Sequence, residues 1–368
     1  MEKNINIILK NNKCTGCSAC VHSCPKQAIS FTQNSYGFFI PTINNERCVN
    51  CGLCITKCPA INHPQAKNIV EAKYGWSSNK SNRIESTSGG MFSEIVDSFL
   101  DKCGYVCGCV ISNNQVFHDI RSLEEKNAFL GSKYVQSDLK EVFHQIKDLL
   151  LANNKIVFSG TPCQVYGLLS FIPDELKNNL LTIDFVCHGV PSQKLFHDHC
   201  KYNKYKVLSF RSKDRRGWER SEIKVIKNNK IKYIRQWKDK FIFMFNNNNN
   251  NLNPACCECP FINNHFSDIT LADFWQYSHF DISQTDLYNG ISLIKINTSK
   301  GKDALLRVNC VLEEIDNLSI LKEREHKYSK QSSLNFYDDY LNYGYRKAIK
   351  KHAKNGYVHM LFKKIFKK

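Results

Sequence analysis

The sequence has no apolar stretch long enough to cross a membrane. Its longest apolar runs, 241–245 and 149–152, are a few residues each, whereas a membrane helix needs about 20. The first residues, MEKNINIILK, also lack the apolar centre and the small-residue cleavage site of a secretory signal. We therefore expect a cytoplasmic protein.

Acidic residues are scarce relative to basic ones. The chain has 34 Asp and Glu against 51 Lys and Arg, which gives a formal net charge of +17. A basic excess of this size commonly indicates nucleic acid or an anionic surface as a partner. The composition is otherwise that of a globular chain, because 42% of the 368 residues are hydrophobic and 23% are charged. This length allows one large domain or a few ordinary ones.

Cysteine, in contrast, is abundant, with 18 in the chain. Cytosolic proteins rarely keep structural disulfides, so this number favours metal binding or redox chemistry. Two copies of the pattern C-x2-C-x2-C-x3-C-P lie near the amino end, and tetrahedral zinc sites use two pairs of ligands rather than a triplet plus one. The spacing therefore indicates iron-sulfur clusters. The cysteines of the two copies are Cys14, Cys17, Cys20 and Cys24, then Cys48, Cys51, Cys54 and Cys58.

In the two-cluster ferredoxin arrangement, each cubane takes three ligands from one copy and the fourth from the other copy. Gly16 and Gly52 are expected to let the loops turn so that backbone amides point at the sulfurs. Residues 13–59 thus resemble bacterial-type ferredoxin domains. Because each cluster adds about two negative charges that the formal count omits, part of the basic excess is internal, and we expect no nucleic-acid partner. The predicted ligands are Cys14, Cys17, Cys20 and Cys58 for cluster I, and Cys48, Cys51, Cys54 and Cys24 for cluster II.

The pattern changes after a polar linker. From about residue 71, buried-type strands such as YVCGCVI, KIVFS and LLTIDFV alternate with helical segments. We predict α+β and α/β architecture: a small two-cluster ferredoxin domain over 1–62, a larger α/β domain with a mixed sheet over 71–320, and a basic helical tail over 321–368. The Asn run 246–251 is interpreted as a mobile loop. The tail is either a solvated face or a contact with a membrane surface or an acidic partner.

Four short segments of the larger domain have the character of binding sites. STSGG at 86–90 precedes a helix, where hydroxyls and glycines suit a phosphate or a flavin pyrophosphate, or simply cap the helix. In FSGTPCQ, Cys163 lies in the first turn of a helix, where the dipole favours a thiolate. DFVCHGVP places Cys187 at the carboxyl end of a strand, the edge at which open α/β sheets bind ligands. The fourth segment is PACCECP at 254–260.

These segments, together with GSKYVQSDL, FRSKDRRGW and DITLADFW, resemble the beta-subunit family of coenzyme F-420 hydrogenases and dehydrogenases. The resemblance reaches to about residue 300. It implies an FAD-containing iron-sulfur oxidoreductase, with FAD bound by the larger domain. It also implies that the residues around the flavin are Thr87, Ser88, Gly89, Gly90, Lys133, Tyr134, Gly160, Thr161 and Gln164.

The resemblance extends to a further cysteine group. It implies that Cys163, Cys187, Cys256 and Cys259 jointly hold a third 4Fe-4S cluster; the alternative is a mixture of buried cysteines and one reactive thiol. Cys257 is expected to point away. The remaining cysteines are expected to be small buried hydrophobic residues: Cys103, Cys107, Cys109, Cys200 and Cys310.

We interpret the sequence as an iron-sulfur flavoprotein that moves single electrons through the clusters and transfers a hydride between FAD and an organic acceptor or donor. The substrate is a deazaflavin coenzyme or another small molecule, and the redox partner is a protein such as ferredoxin. His188 is the candidate proton donor, with Asp273 second; the alternative for His188 is a packing histidine. Two alternatives remain: a non-catalytic electron-transfer subunit that docks to a partner oxidoreductase, and a thiol-disulfide reductase that uses Cys163 and Cys187.

Overall fold

The computed structural model describes residues 4–62, 71–247, 250–321, 325 and 329–353. The first segment is small and is built around the eight cysteines. Its hairpin pairs Ile29 with Ile43, and its core packs Ile5 and Ile8 against the thiols of Cys20 and Cys54. Its elements are α1 (Asn6–Leu9), α2 (Ala19–His22), β1 (Ile29–Gln33), β2 (Phe39–Ile43) and α3 (Leu53–Thr56).

The larger segment contains a mixed eight-stranded sheet with the order β13-β3-β12-β11-β7-β6-β4-β5. Its strands are β3 (Glu71–Ser77), β4 (Tyr105–Ser112), β5 (Gln115–Ser122), β6 (Ile156–Ser159), β7 (Leu180–Phe185), β11 (Ile269–Asp273), β12 (Ser292–Ile296) and β13 (Cys310–Glu314). A second, antiparallel sheet contains β8 (Lys206–Ser212), β9 (Glu222–Lys227) and β10 (Lys230–Arg235). The helices are α4 (Lys80–Glu85), α5 (Met91–Phe99), α6 (Val142–Leu151), α7 (Pro162–Phe171), α8 (Gln193–Asn203), α9 (Lys240–Asn247), α10 (Gln284–Asn289), α11 (Ser299–Asp303) and α12 (Lys330–His352).

The four central strands β4, β6, β7 and β11 run parallel to one another. Strands that are covered on both faces need apolar residues throughout, and every residue of the IVF and LLTI stretches of β6 and β7 is buried. Because parallel strands end at one edge, the loops that follow β6, β7 and β11 meet there. This edge carries the candidate site.

Strands β9 and β10 form an antiparallel hairpin across Asn228 and Asn229. Both asparagines have positive φ, 52° and 57°, which is the requirement of a type I′ turn. The Asn run, however, is not simply a loop: α9 extends to Asn247, and Asn251 is buried, where its amide donates to Phe241 O over 3.1 Å. Residues 248 and 249 lie outside the described part.

The segment predicted as a carboxyl-terminal tail begins with a helix that is part of the core. Helix α12 packs Phe336, Tyr337 and Tyr340 into one core with Phe196 and Phe241. The helix bends at Gly344, where φ is 75°. The basic stretch 354–368 lies outside the described residues. Within those residues, no helix is both long enough and apolar enough to span a membrane.

Candidate functional site

The two cysteine loops share one backbone conformation. In the first loop, Gly16 and Ser18 have positive φ, 74° and 64°; in the second, Asn50 and Gly52 have φ of 52° and 78°. These are the positions two and four residues after the first cysteine of each copy. Left-handed backbone at both positions curls each loop, which brings amides toward the sulfurs. The sequence repeat is therefore also a structural repeat.

The thiols predicted for cluster I are buried close together. Burial raises the pKa of Cys14 to about 12, and Cys58 and Cys163 add to the shift. Burial likewise raises the pKa of Cys17 and Cys20 far above the ordinary value, with Cys58 contributing to both. Such crowded thiols cannot all ionise without a cation, and bound iron supplies that charge. The chemistry of these four side chains therefore fits a 4Fe-4S cluster.

The thiols predicted for cluster II line one small cleft. Cys24 lies there with Cys48, Cys51 and Cys54. Burial raises the pKa of Cys54, and Cys48 and Cys51 add to the effect. This group is nearer the surface than the first, because Cys51 is exposed whereas Cys17, Cys20 and Cys58 are buried.

The third cysteine group is assembled at the sheet edge. Burial raises the pKa of Cys256 far above normal, with smaller contributions from Cys259, Cys187 and Cys163. The structure thus brings the four predicted thiols together. Gly189 allows this approach: its φ is 95°, and a Cβ there would lie 2.9 Å from the Cβ of Cys256. Only glycine fits between the loop after β7 and the 254–258 turn.

Cys163 does not behave as the expected thiolate. It sits in the first turn of α7, 3.1 Å from Thr161 Oγ1, but burial outweighs the hydrogen bonds and raises the pKa of its thiol. Cys257 is buried with Glu258 and Lys330 as its charged neighbours, and it lines the same cavity as the other four cysteines. Among the cysteines expected in the core, Cys103 is exposed, because it lies in the turn before β4.

Side-chain hydrogen bonds fasten the cluster segment to the larger segment. Gln136 is nearly fully buried, and its amide accepts from Phe39 N over 2.7 Å and donates to Phe39 O over 3.2 Å. Asn253 donates to Cys14 O over 3.2 Å, and Lys57 donates to Ser170 O over 2.7 Å. Cys163 and the cluster I thiols are therefore held as neighbours.

The third cysteine group forms part of the wall of a cavity of about 610 Å³. This volume is in the range of cofactor and ligand sites. It reaches from the cysteines at one end to the start of α5 at the other. Predicted site residues in its wall are Thr87, Ser88, Gly90, Lys133, Tyr134, Gly160, Thr161, Gln164, His188 and Asp273, together with Cys163, Cys187, Cys256 and Cys259.

The turn before α5 differs in detail from the expectation. Gly90 is the N-cap with φ of 88°, and no side-chain hydroxyl caps the helix. Thr87 Oγ1 instead accepts from Ser132 N over 2.7 Å, and Ser88 donates to Ile291 O. Gly89 is not in the cavity wall; a Cβ there would lie 2.5 Å from Gly75 O, so it is required for packing against β3. The open amides at the helix start suit an anion.

Lys133 is partly buried in the cavity wall rather than free on the surface. Its ammonium donates to the carbonyls of Phe129 and Leu130 over 3.0 and 2.9 Å. Burial lowers its pKa to about 8. Tyr134 packs against Phe245 with ring centroids 4.8 Å apart. The pair places a cation and an aromatic wall side by side.

Gln164 fixes the turn after β6. Its Oε1 accepts from Thr161 N over 3.0 Å, and its Nε2 donates to Ser137 over 3.0 Å. His118 Nε2 lies 3.1 Å from the carbonyl of Ser159, so this nitrogen carries the proton and Nδ1 accepts from Ser137 at 2.9 Å. Burial lowers the pKa of His118 to about 4. Sequence analysis missed His118, because nothing local marks it.

Asp273 ends β11 and His188 follows β7, so both lie at the same sheet edge. His188 is exposed. Asp273 forms an ion pair with Arg211 and accepts from Trp218 Nε1 over 2.9 Å. Although burial disfavours the charge of Arg211, Tyr134 and Asp273 raise its pKa. The ion pair orients the Arg211 guanidinium at this sheet edge.

Lys213 is a further residue that sequence analysis missed. It is buried, and its ammonium donates to the carbonyls of Arg83, Ser88 and Asn289. Burial lowers its pKa to about 7, with Arg83 and Arg211 adding to the effect. It ties the turn before α5 to the end of α10. A lysine within the polar stretch FRSKDRRGW gives no sequence signal for this role.

Comparison with known proteins agrees with this geometry. Residues 13–61 match the 4Fe-4S dicluster domain, which makes the chain an iron-sulfur protein. Residues 153–315 match the family described as the C terminus of the coenzyme F420 hydrogenase/dehydrogenase beta subunit. The predicted resemblance is confirmed by these two matches.

Among solved structures, a chain of the F420-reducing [NiFe] hydrogenase complex from Methanosarcina barkeri, determined after xenon derivatization, is 13% identical to this protein. The alignment covers 75% of this chain and 91% of that chain, with a TM-score of 0.43. No curated protein matches the sequence.

Proposed function

We propose that the protein is a flavin-dependent iron-sulfur oxidoreductase. One observation carries the proposal: the described thiols form a series from the surface to a single cavity. The series begins at exposed Cys51, continues through the buried cluster I thiols and Cys163, and ends at Cys187, Cys256 and Cys259 in the cavity wall. Clusters bound at these thiols supply one-electron transfer, and FAD in the cavity supplies conversion between single electrons and a hydride.

The residues of the cavity would bind and orient the flavin. The open amides at the start of α5 and the Lys133 ammonium suit its diphosphate. Arg211, held by Asp273, presents a fixed positive charge to the same space, and the Tyr134 ring forms an apolar wall. His188 lies at the exposed rim, where it can exchange a proton with water and with a substrate. The domain boundaries at 62, 71 and 320 and these site assignments are part of the proposal.

The substrate is proposed to be a deazaflavin coenzyme or a similar small hydride carrier. The matched family is named for hydrogenases and dehydrogenases of coenzyme F420. A redox partner protein such as ferredoxin would contact the surface at exposed Cys51 and Val49, the latter being 60% exposed. Under this proposal, electrons would enter near Cys51 and the substrate would bind at the cavity.

Anaerobic purification with iron, sulfide and flavin analysis tests the proposal. We expect one FAD per chain, with about eight irons for two clusters and about twelve if the third is present. The holoprotein should also reduce or oxidise the deazaflavin coenzyme with ferredoxin as partner. A chain that holds clusters but binds no flavin would reject the enzyme and leave an electron-transfer subunit that docks to a partner oxidoreductase.

The thiol-disulfide reductase is not favoured. Such an enzyme needs a thiol with a lowered pKa, whereas burial raises the pKa of Cys163. The neighbouring Cys256 also has a raised pKa. These directions suit thiols that are held for a metal.

A further inference from the structure

A histidine next to the cluster ligands lies in an unusual environment. His22 belongs to α2, between Cys20 and Cys24, and is only 4% exposed. Its ring faces α6 and contacts Phe143 and Phe171, with centroids 4.7 and 5.7 Å away. Neither ring nitrogen has a hydrogen-bond partner among the described residues. Buried polar atoms are rarely left this way, since an unmet donor or acceptor costs free energy.

Two exposed side chains meet this buried ring. Glu141 is the N-cap of α6 and His144 lies in its first turn. The spacing of three residues puts both on one face of the helix, the arrangement of Glu-x-x-His metal motifs. A nitrogen of His22, a nitrogen of His144 and a carboxylate oxygen of Glu141 all lie within 4.8 Å of one another. The rings of His22 and His144 meet edge to face, with centroids 4.9 Å apart.

We propose that His22, Glu141 and His144 form a zinc site that joins the cluster segment to α6. Two imidazoles and one carboxylate are a ligand set that Zn²⁺ accepts, with water as the fourth ligand. Tetrahedral zinc with bonds of about 2.0 Å needs ligand atoms about 3.3 Å apart. Side-chain rotation of exposed Glu141 and His144 closes the remaining distance, while buried His22 is fixed.

This site is separate from the cysteine sites and differs from them in chemistry. It contains only nitrogen and oxygen ligands, whereas the cluster loops present thiols. Zinc here would clamp α2, which carries Cys20, onto the larger segment. The proposal does not depend on the presence of flavin or on the reaction of the cavity.

Zinc binding to the cluster-loaded holoprotein tests the proposal. The anaerobic protein, with its full iron content verified, is dialysed to equilibrium against zinc chloride, and bound zinc and iron are measured by mass spectrometry. His144→Ala and Glu141→Gln remove exposed ligands. His197→Ala is the matched control, since His197 is an exposed histidine on α8 with 60% of its side chain exposed.

We expect the wild-type protein and His197→Ala to bind one zinc ion with equal affinity. His144→Ala should bind this zinc at least tenfold more weakly, and Glu141→Gln should also have a lower zinc affinity. X-ray absorption at the zinc edge should show nitrogen and oxygen ligands near 2.0–2.1 Å and no sulfur near 2.3 Å. Equal zinc affinity in wild type and His144→Ala, or sulfur in the zinc shell, would overturn the proposal.

Discussion

Gly167 provides the sharpest test of how the cluster segment is held. It lies one helical turn after Cys163 on α7, and a Cβ at this position would lie 2.5 Å from the carbonyl oxygen of Cys17. Because that oxygen is backbone, an added methyl must displace the cluster I loop. Overpacking of this kind costs about 1–3 kcal/mol, and the better helix propensity of alanine returns about 1 kcal/mol. With the middle of the overpacking range, we expect Gly167→Ala to weaken docking by about 1 kcal/mol, a factor of about 5.

The assay is iron release from the anaerobic holoprotein in the presence of a ferrous chelator. Gly167→Ala should lose iron about 5 times faster than wild type. Ser170→Ala is the control, because it alters the same helix only by removing a hydroxyl that donates to Gly167 O over 2.8 Å. If Gly167→Ala and wild type release iron at the same rate, α7 does not hold the loop and the reasoning fails.

Three further results are expected. Cys256→Ser should lose about four irons per chain, whereas Cys257→Ser should keep them. An equal loss of iron in both variants would contradict the assignment of Cys256 as a ligand of a third cluster. Asp273→Ala leaves the Arg211 charge without its partner, so urea denaturation should show a loss of about 3 kcal/mol, and an unchanged midpoint would contradict the ion pair. Because burial lowers the pKa of Lys213 to about 7, the unfolded chain binds its proton more tightly between pH 7 and about 10.5. The free energy of unfolding should therefore rise with pH in this window more in the wild-type protein than in Lys213→Met. Parallel pH profiles of the unfolding free energy in the two proteins would contradict this expectation.

Patterns that are local in sequence were predicted correctly. The cysteine spacing located both cluster loops, since each triplet lies in one tight turn. The buried strands β6 and β7 were recognised because they are apolar throughout and end at Gly, Thr or polar residues. The start of α7 was found from Thr161 and Pro162, and the capping box with Gln164 is present. In these cases the determining contacts lie within a few residues.

Features that depend on distant contacts could not be predicted. Gly89 was interpreted as an anion-binding glycine, but its neighbours are Gly75 and Ser292, from β3 and β12. Helix α12 has a polar appearance, yet Tyr337 is fully buried and its hydroxyl donates to Asn251 O over 2.7 Å. The partners in each case are tens to hundreds of residues away, and spacing alone carries no information about them. The role of Lys213 could not be predicted for the same reason.

The position of Gly189 against Cys256 has a consequence for how the molecule matures. All eight cysteines of the two repeats emerge within the first 58 residues, whereas the turn that presents Cys256 is translated nearly 200 residues later than Cys58. Segments near the amino end fold first during synthesis. The paired loops can thus acquire their inorganic cores while the ribosome is still working. The four thiols that we propose hold a third cluster are complete only once Cys259 has been made, so metal delivery to that cluster would follow delivery to the first two.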